Sequence, residues 1–201
     1  MSYELFTGLA LFSLVSSITP GPNNLMLMAS GANFGFRRTL PHMVGVALGF
    51  TAMVILVGLG LVGLFEMYPV SYELLKVVSI VYLGYLAWRI ATAAAPAGDT
   101  QEQIDRGRPI TFFQAVLFQW VNPKAWTMAL TSLTVYAPSQ DLWAVLAVAL
   151  VFGTINLPCV STWTLMGLHL QRLLTSRRRL VAFNFTMAVL LVGSLYPVLL
   201  D

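Results

Sequence analysis

Charge is scarce in this 201-residue chain: 9% of its residues are Asp, Glu, Lys or Arg, while 58% are apolar. A soluble domain carries about a quarter of its residues as charges, so the shortage excludes an ordinary soluble fold and places the chain in lipid. Cysteine is nearly absent. The single Cys159 cannot form an intramolecular disulfide, a CxxC redox centre or a Cys-based metal site, which excludes membrane thiol oxidoreductases. The 11 Lys and Arg against 8 Asp and Glu leave a net +3, too small and too scattered for a nucleic-acid partner. No Lys or Arg precedes the apolar run from Leu5 to Ile18 and no small-residue cleavage site closes it, so it reads as a retained segment rather than a secretory signal. No Asp or Glu falls in the middle of a long apolar run, so the usual carboxylate for sodium or proton coupling is missing. Carboxylate pairs, metal-ligand clusters and a nucleophile with its base are missing too; no catalysis, metal or cofactor is expected.

What is present is length of apolar sequence. Runs at 4–34, 40–65, 69–92, 110–136, 142–168 and 180–200 are each long enough to cross a bilayer, which takes about 20 residues. Their all-round apolar character, without period-2 alternation, argues for helices and against a barrel. The polar stretch 93–109 divides the chain into a first half, 1–92, and a second half, 110–201. Each half holds three spans, and because three is odd the second half enters the membrane from the opposite side. The expected fold is therefore an all-α membrane protein of six transmembrane helices in two inverted three-helix repeats, with no separate soluble domain.

Charge placement orients it. Arg37, Arg38, Arg89, Arg106, Arg108, Arg172, Arg177, Arg178 and Arg179 share one face, whereas the other has Lys76 among Glu4, Glu66, Glu73, Asp141 and Asp201. The positive-inside rule puts the first face in the cytoplasm and both termini outside.

The first span of each half is interrupted by proline: Ser17-Ile18-Thr19-Pro20-Gly21-Pro22-Asn23-Asn24 and Gln119-Trp120-Val121-Asn122-Pro123-Lys124. At 1.5 Å per residue, Pro20 lies about 24 Å from Glu4 and Pro123 about 20 Å from Ile110, near the middle of the bilayer. Proline removes a donor and crowds the preceding turn, so carbonyls of Ser16, Ile18 and Gln119 need other partners. Thr19-Pro20 and Asn122-Pro123 each read as an N-cap followed by proline at the first helical position, starting a half-helix whose partly positive end points inward. A lone proline kink is the ordinary reading. Paired breaks in inverted halves point instead to a central transporter site.

Lys124 is the sharpest single residue, about 21 Å along its span from Ile110, out of a lysine stem's reach of either interface. Intramembrane charge generally marks function. The expected site has Lys124 and the half-helix starts holding a substrate carboxylate, while freed carbonyls and the Asn23, Asn24 and Asn122 oxygens take its ammonium. Asn156 and Pro158 interrupt span 5 and either widen the cavity wall or form a simple kink. Trp120 and Trp126 lie too deep for an interfacial belt and serve as core or as pocket wall. Gly31 with Gly35, Gly45 with Gly49, and Ala149 with Gly153 read as close-packing pairs, leaving room for a homodimer. His42 and His169 fall near cytoplasmic helix ends, where an interfacial histidine is the ordinary reading and a proton role the alternative.

The motifs SITPGPNNLMLMASGANFGFRRTLPHMVGVALGF (17–50) and FQWVNPKAW (118–126), in that order and spacing, resemble the lysine-exporter (LysE/RhtB) family of bacterial amino-acid efflux proteins, from about residue 3 to the end. The resemblance implies inverted halves, an inner-membrane location and gradient-driven export of an amino acid or close derivative. It also makes Pro20, Gly21, Pro22, Asn23 and Asn24 the matched motif of the first half and Asn122, Pro123 and Lys124 that of the second. Phe50 after Gly49 and the run Gly167 to Arg172 lean towards the cysteine and O-acetylserine exporters. Many relatives carry an acidic residue where this chain has Phe50, so lysine or arginine export is not expected. The expected function is a secondary transporter exporting small neutral amino acids or derivatives by alternating access, with Thr19, Pro20, Gly21, Pro22, Asn23, Asn24, Asn122, Pro123, Lys124 and Asn156 lining the site. A pore for small polar solutes or a membrane assembly subunit is the alternative.

Overall fold

The structure, a computed structural model, describes residues 2–61, 67–93, 108–139 and 141–196. Most of the expected connector 93–109 lies outside these residues. So do the ends of the expected second and sixth spans, together with Glu66, Arg106 and Asp201.

Among the described residues there is no strand. Seven α-helices follow one another: α1 (Tyr3–Ile18), α2 (Pro22–Leu56), α3 (Pro69–Ala91), α4 (Phe112–Val121), α5 (Pro123–Tyr136), α6 (Leu142–Gln171) and α7 (Arg177–Gly193), with a π-helical segment, Val57–Leu61, continuing α2. Three stretches, Pro22–Leu61, Glu73–Ala91 and Leu142–Gln171, are long and apolar enough to cross a membrane by length and composition; α1 and α4 are shorter apolar helices.

Local chemistry sets the ends. Ser2 caps α1 through Leu5 N, Asp141 caps α6 through Ala144 N, and Ser176 caps α7 through Arg179 N. Thr111 and Gln114 form a reciprocal capping box at α4. Inside α2, Gly35 adopts φ 78°, ψ 172°, a conformation that only glycine takes without strain. It divides α2 into arms at 22–34 and 36–56. Gly35 thus makes a corner, and nothing lies within 4 Å of where its Cβ would be, in contrast to the packing role expected of it.

The other small residues let backbones touch within the chain. A Cβ on Gly31 would lie 2.2 Å from the Thr164 carbonyl oxygen, and one on Gly167 2.0 Å from that of Met28. The first arm of α2 therefore lies against α6 with no room for a methyl group. Gly45 and Gly49 likewise bring the second arm against α4, a Cβ there lying 2.6 Å from the Phe112 carbonyl oxygen and 2.8 Å from Val116 Cα, and Gly153 sits against Thr51. α2 packs most extensively on α6 and then on α4, α1 on α6, and α3 on α7. The largest buried cluster joins Leu9, Phe50, Met53, Ala129, Val148 and Phe152, from α1, α2, α5 and α6.

The interruption expected in span 5 does not open: α6 runs unbroken through Asn156 and Pro158. A single proline forfeits one backbone bond. Leu157 before it offers no side-chain acceptor to start a new helix, as Asn122 does before Pro123.

Candidate functional site

Two breaks face each other across the bundle. At the second, Asn122 (φ −94°, ψ 108°) is the N-cap of α5, its side-chain oxygen accepting from Lys124 N at 3.2 Å, with Pro123 at the first helical position. The first break is longer than the expected Thr19 cap with Pro20 opening the helix. Thr19 (φ −68°, ψ 149°) closes α1, Gly21 (φ 179°, ψ 175°) is extended, and α2 opens at Pro22. Each proline disfavours the helical region for the residue before it, and with prolines two apart the helix does not restart until after the second.

The freed carbonyls find partners both nearby and in distant parts of the chain. The Ser16 oxygen accepts from Thr19 Oγ1 (3.0 Å), that of Ser17 from Asn24 Nδ2 (2.8 Å), and that of Ile18 from Trp163 Nε1 (3.0 Å). Gln119 O takes the Asn122 N–H at 3.3 Å, and Trp120 O takes Trp126 Nε1 at 2.8 Å. Lys124 Nζ donates to Thr19 O (2.7 Å), Thr19 Oγ1 (2.9 Å) and Pro20 O (3.1 Å), using all three of its N–H groups. The ammonium of the second break thus sits at the C-terminal end of α1, where the helix dipole favours a cation. Asn24 Nδ2 also donates to Thr19 O at 2.8 Å, tying α1 to α2.

Between the breaks is a pocket lined by Ser16, Ser17, Gly21, Asn23, Asn24, Phe50, Gln119, Asn122, Lys124 and Asn156, with Ala125, Met128 and Val160. Of the ten residues expected at the site, Gly21, Asn23, Asn24, Asn122, Lys124 and Asn156 line it, whereas Thr19, Pro20, Pro22 and Pro123 shape the breaks without lining it. Asn23 and Gln119 exchange amide hydrogen bonds across the pocket, at 2.8 and 3.3 Å. Ser17, Gln119 and Trp163 were not singled out from sequence. Gln119 carried one signal, a polar side chain in mid-span just before the break; Trp163 carried none. Phe50, 2% exposed, meets Phe152 edge-on at 5.2 Å between ring centroids. Trp120 and Trp126 pack 6.0 Å apart against the main core cluster and do not line the pocket.

Two polar features are unspent. No side chain caps the N-terminus of α2, and Lys124 lies beside it: a methyl group on Gly21 would be 2.6 Å from Lys124 Cδ and 3.2 Å from Nζ. A helix N-terminus and an ammonium so placed suit an anion. Asn156 Nδ2 donates to Ser17 Oγ at 3.2 Å, but its Oδ1 is buried with no donor. The pocket has a volume of about 30 Å³, room for a water or two and not for an amino acid.

Apolar helices, three of them of membrane length, around a small polar pocket at interrupted segments define a helical membrane protein with a polar site between its two breaks. The chain belongs to the LysE type translocator family, whose sequence model matches residues 14–194. It is similar to the cysteine/O-acetylserine efflux protein of Escherichia coli O9:H4 (strain HS), 29% identical over 194 residues and 96% of each chain. The Shigella flexneri serotype 5b (strain 8401) protein of the same name is 30% identical over 183 residues, 90% of each chain. That of Shigella sonnei (strain Ss046) is 29% identical over 96% of each. No solved structure matches.

Proposed function

We propose that this chain is a secondary transporter exporting small neutral amino acids or their derivatives across the bacterial inner membrane by alternating access. The observation that carries this reading is the pairing, within one pocket, of an ammonium beside an uncapped helix N-terminus with a buried amide oxygen that lacks a donor. A zwitterion supplies both complements. Its carboxylate takes Lys124 Nζ and the first free N–H groups of α2, and its ammonium takes Asn156 Oδ1 and the Thr19 and Pro20 carbonyls that Lys124 leaves. The zwitterion brings one charge of each sign, so the net charge of the pocket does not change. The pocket is too small for a substrate as it stands, which fits a closed state of a carrier better than an open pore. Phe50 in the wall and no carboxylate among the lining residues favour neutral over basic substrates, as do the names of the relatives.

In this reading the chain crosses the membrane six times, as inverted halves 1–92 and 110–201 joined by a cytoplasmic segment 93–109, with both termini periplasmic. The break between α1 and α2 corresponds to that between α4 and α5, and α2 supplies the second half of the first crossing and, beyond the hinge at Gly35, the second crossing.

The test is efflux from proteoliposomes loaded with cysteine, O-acetylserine, homoserine, threonine or lysine. Saturable efflux of a neutral member, accelerated by the same solute outside, is expected. Lys124→Ala should abolish it with membrane insertion intact. Flux that never saturates indicates a pore, unchanged flux in Lys124→Ala removes that residue from the mechanism, and no flux with any solute overturns the transport reading.

A further inference from the structure

His42 is fully buried in α2, and neither Nδ1 nor Nε2 has a hydrogen-bond partner, although the sequence suggests an interfacial ring. A neutral imidazole carries one donor and one acceptor, and buried polar atoms are rarely left unmatched. Its nearest polar neighbour along the helix, Thr39, is committed to Gly35 O and Ser30 Oγ.

Among the described residues, the surroundings hold no counter-charge. On α2 itself Arg37 and Arg38 are exposed; on α6 His169 is exposed and bonded to Leu165 O, and Cys159 is a buried thiol; on α7 Arg177, Arg178 and Arg179 are exposed. Lys124 on α5 is held at the first break. Arg89 of α3 and Arg108 line a separate small cavity with Ser30 and Asn33. α4 and Val57–Leu61 carry no ionisable side chain, and no carboxylate occurs on α2, α4, α5, α6 or α7. Among the described residues, His42 is the one fully buried group of a type that titrates near neutrality.

Its position ties it to the pocket. Residues three and seven further along α2, Gly45 and Gly49, form the close seam with α4, and Phe50 lines the pocket about 12 Å away along the helix. By its spacing His42 shares the face of α2 that carries this seam, so a movement parting α2 from α4 to admit a substrate also opens the face on which the ring is buried.

We propose that His42 is a proton-binding site that couples this movement to the proton gradient. The inference rests on the transport reading above. With the seam closed the ring is neutral, because no described residue facing it stabilises an imidazolium. With the seam open to one side, the free ring nitrogen takes a proton from water there. The proton returns to water when the seam opens to the other side, and no bond other than N–H is made or broken.

The experiment compares wild type with His42→Gln and His42→Phe in proteoliposomes, using radiolabelled L-cysteine kept reduced. One assay is exchange at equal pH; the other is accumulation driven by a pH difference. Both variants should keep exchange within about twofold of wild type and lose at least tenfold in pH-driven accumulation, with its pH dependence flattened. If His42→Gln accumulates as wild type, or both assays fall together in both variants, His42 is not the coupling site. Exchange in wild type without any pH-driven accumulation overturns this inference and leaves the transport reading standing. Absence of both in wild type, across the amino-acid panel, overturns the transport reading and this inference with it.

Discussion

Replacing Gly21 with Ala adds one methyl group at the point where the two breaks meet, and its effect follows from the geometry. Gly21 is extended, at φ 179°, so alanine adopts its backbone without strain. The new Cβ, however, lies 2.6 Å from Lys124 Cδ, where carbon contacts need about 3.5 Å. The lysine stem must retreat by about 1 Å, carrying Nζ away from oxygens now at 2.7, 2.9 and 3.1 Å. Beyond about 3.2 Å such bonds are largely lost. A hydrogen bond to a charged group contributes about 1.5–3 kcal/mol, and a tenfold rate change corresponds to about 1.4 kcal/mol. The same displacement takes Nζ from its place beside the α2 N-terminus, where the proposed substrate carboxylate would meet it, and the loss of that one charged hydrogen bond should lower efflux by about 10- to 100-fold. The fold should tolerate the change, because the displaced atoms end a flexible side chain. Lys76 and Lys124 are the lysines of the chain, so amine labelling read by mass spectrometry reports the displacement, with Lys76 as internal reference. Labelling of Lys124 relative to Lys76 should rise in Gly21→Ala. Efflux equal to wild type, or a loss of efflux with unchanged Lys124 labelling, would refute the reasoning.

Three further outcomes are expected. Gly167→Ala puts a Cβ 2.0 Å from the Met28 carbonyl oxygen and 3.0 Å from Ala32 N; backbone cannot swing aside, so α2 and α6 must part, costing about 1–3 kcal/mol or more, and a melting temperature in detergent equal to wild type would contradict the packing. Asn156→Leu removes the amide oxygen that has no donor and one 3.2 Å bond to Ser17, so substrate KM should rise about tenfold with little change in melting temperature; an unchanged KM takes Asn156 out of the site. At the start of α6, hydrogen bonds from the Ser139 hydroxyl and then Ala144 N–H hold the Asp141 carboxyl below the usual carboxylate range. A depressed folded pKa stabilises above the unfolded value, about 3.9, and that contribution disappears as pH falls through the folded one. Amide exchange at Ala144 and Val145, corrected for intrinsic rate, should quicken only below that range; a step near neutral pH would be inconsistent with it.

Much of the site was legible because its decisive features are covalent and local. Proline lacks an N–H and constrains its predecessor wherever it occurs, so both breaks were visible in the residues, and Asn122 before Pro123 announced its own cap. The register of the first break was misjudged because two prolines act together, which a Thr-Pro pair taken alone does not express. The interruption expected at Pro158 failed for the opposite reason: a lone proline with an apolar predecessor leaves its helix intact.

Composition and the spacing of prolines determined by themselves that the chain is helical and suited to lipid, that two helices are interrupted, and that Lys124 stands beside one interruption. Only the tertiary structure decided where that ammonium goes, 105 residues back along the chain to Thr19, which amide faces Gln119, and that His42 is sealed between helices rather than lying at their ends. Backbone chemistry acts over a few residues and can be read in order. The choice among donors for a freed carbonyl depends on which helices the small residues allow to touch, and that is a property of the packed bundle.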